Sequence, residues 1–520
     1  MFEHRTDRRR FLKAGQTLAG GALAAPFAQL VEEQKALGGR FPLSSSASPY
    51  GPLRAVADGT TGLPLLRLPP GFRYFSMGWT GDLMSDGTLT PDRHDGMAVV
   101  SARGWGRRQR VTLIRNHERG ASDPTNPLAV VGNGSAPVYD PFVSPGVISG
   151  LGGGTTSLVI ENGRLVRDQA TLGGTLSNCA GGPTPWCSWL TCEETTVLGG
   201  AIGARDHGFV YEVPDPALGP ASARPIPEMG LMDHEAVAVD RRTSEVYITE
   251  DNGPNSGFYR FTPHDRSCRV GSLEQGGVLD MLKVKGVDRA DLRTPEQGAE
   301  YEVEWIRVDN PTRAPETLVS PAPGFPAISG QGKSGPFLEG EAKGAAFFAR
   351  GEGCWPGRRG IIYWVDTSGG PAGKGVLWAY VPGRGRRWGR RRHRRPDRLI
   401  AVFVSPNAET ADNPDNVVVS PRGGILMCED GGGLQDANGV TTTGARLIGL
   451  NPWGTAFPFA ENAIALSQPI PDKPFILPDD YRGREFAGAT FDPRGRWLFV
   501  NIQTPGVTFA ITGPFRRGPL

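Results

Sequence analysis

An excess of charge of either sign is missing from this 520-residue chain: 56 Lys and Arg stand against 54 Asp and Glu, leaving a formal charge of +2. Bulk charge therefore gives no general case for a nucleic-acid or membrane-surface partner. Beyond the N-terminus, no stretch approaches the roughly 20 apolar residues of a membrane span. Hydrophobic residues make up only 38%, while Gly reaches 73 and Pro 46. That composition excludes a compact helical protein and suits many short strands joined by turns. Cysteine is scarce, at six residues: Cys179, Cys187, Cys192, Cys268, Cys354 and Cys428.

At the N-terminus, Asp7-Arg8-Arg9-Arg10-Phe11-Leu12-Lys13 precedes a mildly apolar stretch from Ala14 to about Leu30. This resembles a twin-arginine export signal over residues 1–30, followed by an extension over 31–65. It predicts a periplasmic or extracellular location, with the twin-arginine export machinery as a partner. Because that route carries folded protein, a metal centre can be loaded before export. Folding in a reducing compartment also weakens the disulfide reading that an even cysteine count in an exported protein would ordinarily invite.

Apolar runs that stop at a polar group recur six times: Val111 to Glu118, Trp189 to Glu194, Val246 to Asp251, Ile361 to Asp366, Ile425 to Asp430 and Trp497 to Gln503. Each is short and rich in β-branched and aromatic residues, and most follow a turn such as Ser420-Pro421-Arg422-Gly423, as strands of hairpins do. The strand before each turn starts with a chemically capable residue: Cys179, Glu235, Glu352, Asp415 or Glu485. Cys179 to Glu194 and Glu235 to Glu250 span 15 residues, while Glu352 to Asp366 and Asp415 to Glu429 span 14. In an antiparallel hairpin the start of one strand lies beside the end of the next, so each unit carries two polar groups to one edge. The pattern predicts an all-β, six-bladed β-propeller over 66–520, with an insertion at about 265–340 and a metal site at the central channel.

Carboxylates gathered at such a channel cannot all remain bare anions, because like charges a few ångströms apart disfavour joint ionisation. Cations resolve the conflict; the alternative is a solvated rim of charges. Oxygen ligands suit calcium, whereas a thiolate among carboxylates points to a softer metal such as iron or zinc. That makes Cys179 the discriminating residue, against a plain packing role beside Ala180-Gly181-Gly182. His117 and His234, each before a glutamate, are ligands, orienting groups for the adjacent carboxylate or, equally, plain structural hydrogen-bonding groups. Arg350, two residues from Glu352, offers a planar fork for phosphate oxygens or, equally, an ion-pair partner for surplus carboxylates.

Together these blocks resemble the PhoX alkaline phosphatase family: Arg115-Asn116-His117-Glu118, Asn178-Cys179-Ala180-Gly181-Gly182, Thr191-Cys192-Glu193-Glu194, His234-Glu235-Ala236-Val237, Arg350-Gly351-Glu352-Gly353, Asp412-Asn413-Pro414-Asp415-Asn416 and Cys428-Glu429-Asp430. The resemblance implies a propeller with iron and calcium on its axis that hydrolyses small phosphate monoesters outside the cytoplasm. By carry-over, Cys179, Glu235 and Glu352 are iron-side ligands. Glu118, Glu194, Asp415, Glu429 and Glu485 are mainly calcium-side, and Arg350 is the catalytic residue that holds the phosphate. A calcium-dependent lactonase-like or sugar-hydrolase propeller, or a non-catalytic scaffold, are the competing readings. One departure is the arginine run from Arg384 to Arg398, a solvated outer loop or an attractor of anions.

Overall fold

The computed structural model describes residues 47–520 except 105–108, 122–127, 129–135, 145, 147, 201–202, 320–326, 330–331, 384, 389–390 and 452–453. The twin-arginine segment lies outside the described residues.

Six hairpins follow one another along the chain. Their first strands are β1 (His94–Arg103), β2 (Asn178–Pro183), β3 (His234–Val239), β4 (Gly351–Pro356), β5 (Pro414–Val419) and β6 (Phe486–Phe491). Each pairs antiparallel with the strand after it: Arg110–His117, Ser188–Glu193, Val246–Glu250, Ile362–Asp366, Ile425–Glu429 and Trp497–Ile502 respectively. These second strands are the apolar runs of the sequence. Their β-branched and aromatic residues pack against the strands that follow, as where Trp364 stacks with Phe258 of Phe258–Pro263 and Trp378 of Val376–Val381, with centroids 5.0 and 5.9 Å apart. Successive first strands lie side by side and β6 packs against β1, which closes a ring.

The ring is tight enough to require residues without a side chain. A Cβ on Gly182 of β2 would sit 1.9 Å from the Val237 carbonyl oxygen of β3, and one on Gly353 of β4 would sit 2.7 Å from the Asn416 Cα of β5. A second feature repeats in every hairpin, a break in register near the start of the first strand. His94 pairs with His117 and then Met97 with Arg115; Asn178 pairs with Glu193 and then Gly181 with Thr191. The same break follows His234, Gly351, Pro414 and Ala487. Such a bulge turns one extra residue out of the ladder and re-aims its side chain. The residue after each of these six anchors is Asp95, Cys179, Glu235, Glu352, Asp415 or Gly488.

The fold is an all-β propeller, with one correction to its blade count. Counted as sheets of four or more strands among the described residues, the ring has four blades and not the expected six. Glu300–Val308 hydrogen-bonds to Asp397–Val404 and fuses the third and fourth hairpin units into one nine-stranded sheet. The second unit has only three strands, β2, Ser188–Glu193 and Val210–Pro214. The stretch expected as an insertion at 265–340 supplies Gly277–Val284 and Glu300–Val308 to that fused sheet. The expected extension over 31–65 contributes Arg54–Val56, which pairs with Leu66–Leu68 at the edge of the fifth unit. Arg73–Met77 completes the sixth unit against Val507–Thr512, so an early strand ties the C-terminal sheet. Among the described residues no helix is long and apolar enough to cross a membrane.

Candidate metal centre

The bulges gather their re-aimed residues at one end of the ring. Cys179, Glu194 and Glu235 present ligand atoms that all lie within 4.8 Å of one another, and so do Glu235, Glu352 and Asp415. Glu235 belongs to both triads and joins them. Asn116 holds the backbone beneath the thiol: its Nδ2 donates to the carbonyls of Cys179 and Ala180 at 3.0 and 2.7 Å, while its Oδ1 accepts from Trp189 Nε1 and Thr191 Oγ1. On β5, Asn416 Nδ2 donates to Asp415 Oδ2 at 2.6 Å. Around these triads Gln503 donates from Nε2 to Glu118 Oε2 at 2.7 Å and to Asp95 Oδ2 at 3.2 Å, linking the first and sixth hairpins.

Alternation along the second strands separates two sets of acids that adjoin in sequence. Glu193 turns away from the channel, where its oxygens accept from the backbone N–H groups of Leu176, Gly208 and Phe209 and lie 2.6 Å from His207 Nδ1. Glu250 accepts from Gly257 N–H and Tyr259 O–H, and Asp366 from the N–H groups of Ala349 and Arg350. Glu429 behaves alike and departs from the expected ligand set. Both its oxygens are engaged by the Arg446 guanidinium, with the N–H groups of Asp412 and Arg446 adding two more bonds. These acids pin loops. Of the residues that follow Glu193, Glu250 and Glu429, Glu194 raises the Cys179 thiol, Asp251 raises Glu352 and Asp430 raises Asp415.

The electrostatics are those of a site short of positive charge. Burial pushes the Glu235 carboxyl well above the usual range, and Asp415 and Asp95 push it further. Glu352 is raised by burial and then by Asp251 and Asp415; Glu194 by burial and then by Glu235 and Asp251. Asp415 rises to about 7 through burial and Asp430. Burial and then Asp430 raise Glu485, while Glu118 is raised by burial and relieved by Arg93. The Cys179 thiol is held protonated by burial and by Asp95 and Glu235. Both Glu235 oxygens and Asp95 Oδ1 are buried without a conventional hydrogen-bond partner. Orphaned carboxylate oxygens on Glu235, the acid that both triads share, fit bound cations. Arg350 reaches part of the cluster. Its Nε donates to Asp251 Oδ1 at 2.8 Å, its Nη2 pairs with Asp251 Oδ2, and Nη2 lies 3.2 Å from Glu352 Oε1.

The sequence model described as alkaline phosphatase PhoX matches residues 48–140 and 143–506. The chain belongs to the PhoX alkaline phosphatase family. As a PhoX-family protein it is a metal-dependent phosphatase whose candidate cation sites are the two triads. Among solved structures it is similar to Pseudomonas fluorescens PhoX in complex with vanadate, a transition state analogue, at 16% identity over 90% of this chain and 98% of that chain, with a TM-score of 0.57. That likeness is one of fold. A gluconolactonase from Xanthomonas campestris is 11% identical over 92% of this chain and 99% of that chain, with a TM-score of 0.35, too slight to bear on function. No curated protein matches the chain.

Within this PhoX-family site, Cys179, Glu194, Glu235, Glu352 and Asp415 are the predicted ligands that the structure brings into the triads. Glu118 and Glu485 lie among the surrounding acids, Arg350 borders them, and Glu429 stands apart. Sequence reasoning missed Asp95, Asp251, Asp430 and Gln503. The signal for Asp95 was its place in β1 just before Gly96, matching Cys179 before Ala180; for Asp251 and Asp430 it was the second position of an acidic pair.

Proposed function

We propose that this phosphatase hydrolyses small phosphate monoesters outside the cytoplasm, using iron and calcium. The observation that carries the metal reading is Glu235, shared by a triad containing a thiol and a triad of carboxylates alone, with no partner for its buried oxygens beyond the Cys179 thiol. The donor set with Cys179 suits the softer iron, and the all-oxygen set suits calcium. This assignment differs from the expected one at two residues: Glu194, expected on the calcium side, stands with Cys179, and Glu352, expected on the iron side, stands with Asp415. When bound, the cations supply Lewis-acid neutralisation of phosphate oxygens. The chain's own part is to orient and to hold charge. Asn116 and Asn416 fix the backbone and carboxylate positions of two ligand strands, and Asp251 aims the Arg350 guanidinium along the cluster edge. With 42% of its side chain exposed, Arg350 stays accessible to a phosphoryl group although Asp251 engages its Nε and Nη2, because a guanidinium donates charge-assisted hydrogen bonds to phosphate oxygens.

The test is hydrolysis of p-nitrophenyl phosphate with and without a chelator, beside hydrolysis of a δ-lactone. Chelation-sensitive release of inorganic phosphate supports the reading; lactone hydrolysis without phosphatase activity removes it. Export rests on Arg8 and Arg9, and normal periplasmic accumulation of the variant with both changed to Lys would remove the localisation.

A further inference from the structure

The backbone bond that seals the mouth of each hairpin defines equivalent positions around the ring. The N–H of Glu118 donates to the Arg93 carbonyl at 3.0 Å, that of Glu194 to Ser177 at 2.9 Å, that of Asp251 to Asp233 at 3.1 Å, that of Thr367 to Arg350 at 3.0 Å and that of Asp430 to Asn413 at 3.0 Å. Arg93 is thus to the first hairpin what Arg350 is to the fourth. In a closed ring of six first strands, the first and fourth lie opposite one another, so two guanidinium groups flank the acid cluster from facing sides.

Their circumstances differ. Arg350 is engaged by Asp251 and Glu352, whereas Arg93 is exposed and forms no ion pair among the described residues. The acid beside it, Asp92, is taken by Arg119. Arg93 is nevertheless placed rather than loose. Its backbone is left-handed at φ 52°, a conformation that Ser177 and Asn413 repeat at φ 45° and 48° in the equivalent positions. Its Nη1 donates to Gln503 Oε1 at 3.2 Å, and the same Gln503 donates to Glu118 and Asp95. The guanidinium therefore reaches the cluster through one amide and is otherwise exposed to solvent.

We propose that Arg93 determines specificity by receiving a second anionic group on the substrate, and so favours phosphate monoesters whose alcohol carries a carboxylate or another phosphate. The proposal rests on the phosphatase reading of the triads. With the phosphoryl group at the cations and Arg350, the alcohol portion extends across the mouth, and Arg93 is the cation stationed on that far side. It also offsets the repulsion that the surrounding acids exert on an anionic substituent.

The test compares 3-phosphoglycerate with glycerol 3-phosphate, near-identical esters that differ by one carboxylate, on the metal-loaded enzyme. In Arg93→Gln, kcat/KM for 3-phosphoglycerate falls at least about tenfold further than for glycerol 3-phosphate, the size of one lost charge-assisted contact. The extra loss lies in KM, metal content is unchanged, and Arg93→Lys recovers most of it. Equal losses on both esters overturn the proposal, as does a fall in bound metal, which would make Arg93 a support for Glu118 and Asp95. Failure of the wild-type enzyme to hydrolyse glycerol 3-phosphate and p-nitrophenyl phosphate alike would instead refute the phosphatase reading, and the Arg93 proposal with it.

Discussion

Changing Glu235 to Gln reverses the sign of its effect on stability according to whether metal is present. Glu235 shares both triads, with ligand atoms no more than 4.8 Å apart. Two unit charges at 4.8 Å repel by about 3.5 kcal/mol at an effective dielectric of about 20. The metal-free protein escapes this by holding protons that the unfolded chain releases, because burial and the neighbouring Asp415 and Asp95 raise the folded carboxyl. A raised carboxyl binds more protons folded than unfolded. Metal-free stability therefore falls as pH rises above the unfolded glutamate value of about 4.3, at up to about 1.4 kcal/mol per pH unit for one group. The amide removes one such group. In chelator, Glu235→Gln is therefore the more stable protein at pH 8, and the difference shrinks as pH falls toward the unfolded glutamate value. With calcium and iron each at a hundred times its dissociation constant, the order inverts, since wild type gains about 2.7 kcal/mol from each bound ion. Urea midpoints followed by circular dichroism in chelator and in metal read both limits. A Gln variant less stable than wild type in chelator at pH 8 would refute the reasoning and make Glu235 a structural hydrogen-bonding group.

Cys179→Ser should lose iron and phosphatase activity while keeping the β-sheet circular dichroism signal, because the hairpins do not depend on the thiol; metal analysis of the purified variant checks this. Arg350→Lys keeps the charge and loses the fork, so metal should stay while kcat falls about 100- to 1000-fold, the size of one strong transition-state contact. His207 should give a pH-dependent contribution to folding: burial pushes it down, but Glu193 and Asp140 outweigh this and hold it at about 9. Its stabilisation is complete below the unfolded value of about 6.5 and is lost as pH rises through about 9. The gap in urea midpoint between wild type and His207→Gln should therefore narrow by the order of 3 kcal/mol across that window.

The hairpins were legible because short apolar runs ending in polar pairs have the period of strands, and the nearly constant 14- and 15-residue offsets report a shared register. The same offset concealed Asp95. In the first hairpin the paired strands run to Arg103 and resume at Arg110, so Asp95 stands further from Glu118 than any start residue from its partner elsewhere. Glu429 was misread because an offset counts residues without revealing which face the last one occupies; Arg446, on another strand, shows that it turns away. The fusion of two blades depends on Tyr301 meeting Leu399 across almost a hundred residues, a pairing that no local pattern encodes. The choice at Arg350 between phosphate fork and ion pair was open for the same reason, since Asp251 comes from a different hairpin.

The most direct test is elemental analysis of the folded protein together with its Glu235→Gln variant. The account predicts iron and calcium bound to wild type, and loss of both kinds of ion from the variant, because Glu235 joins the thiol triad to the carboxylate triad. Wild-type metal content in the variant, or an active wild-type phosphatase without bound metal, would contradict it.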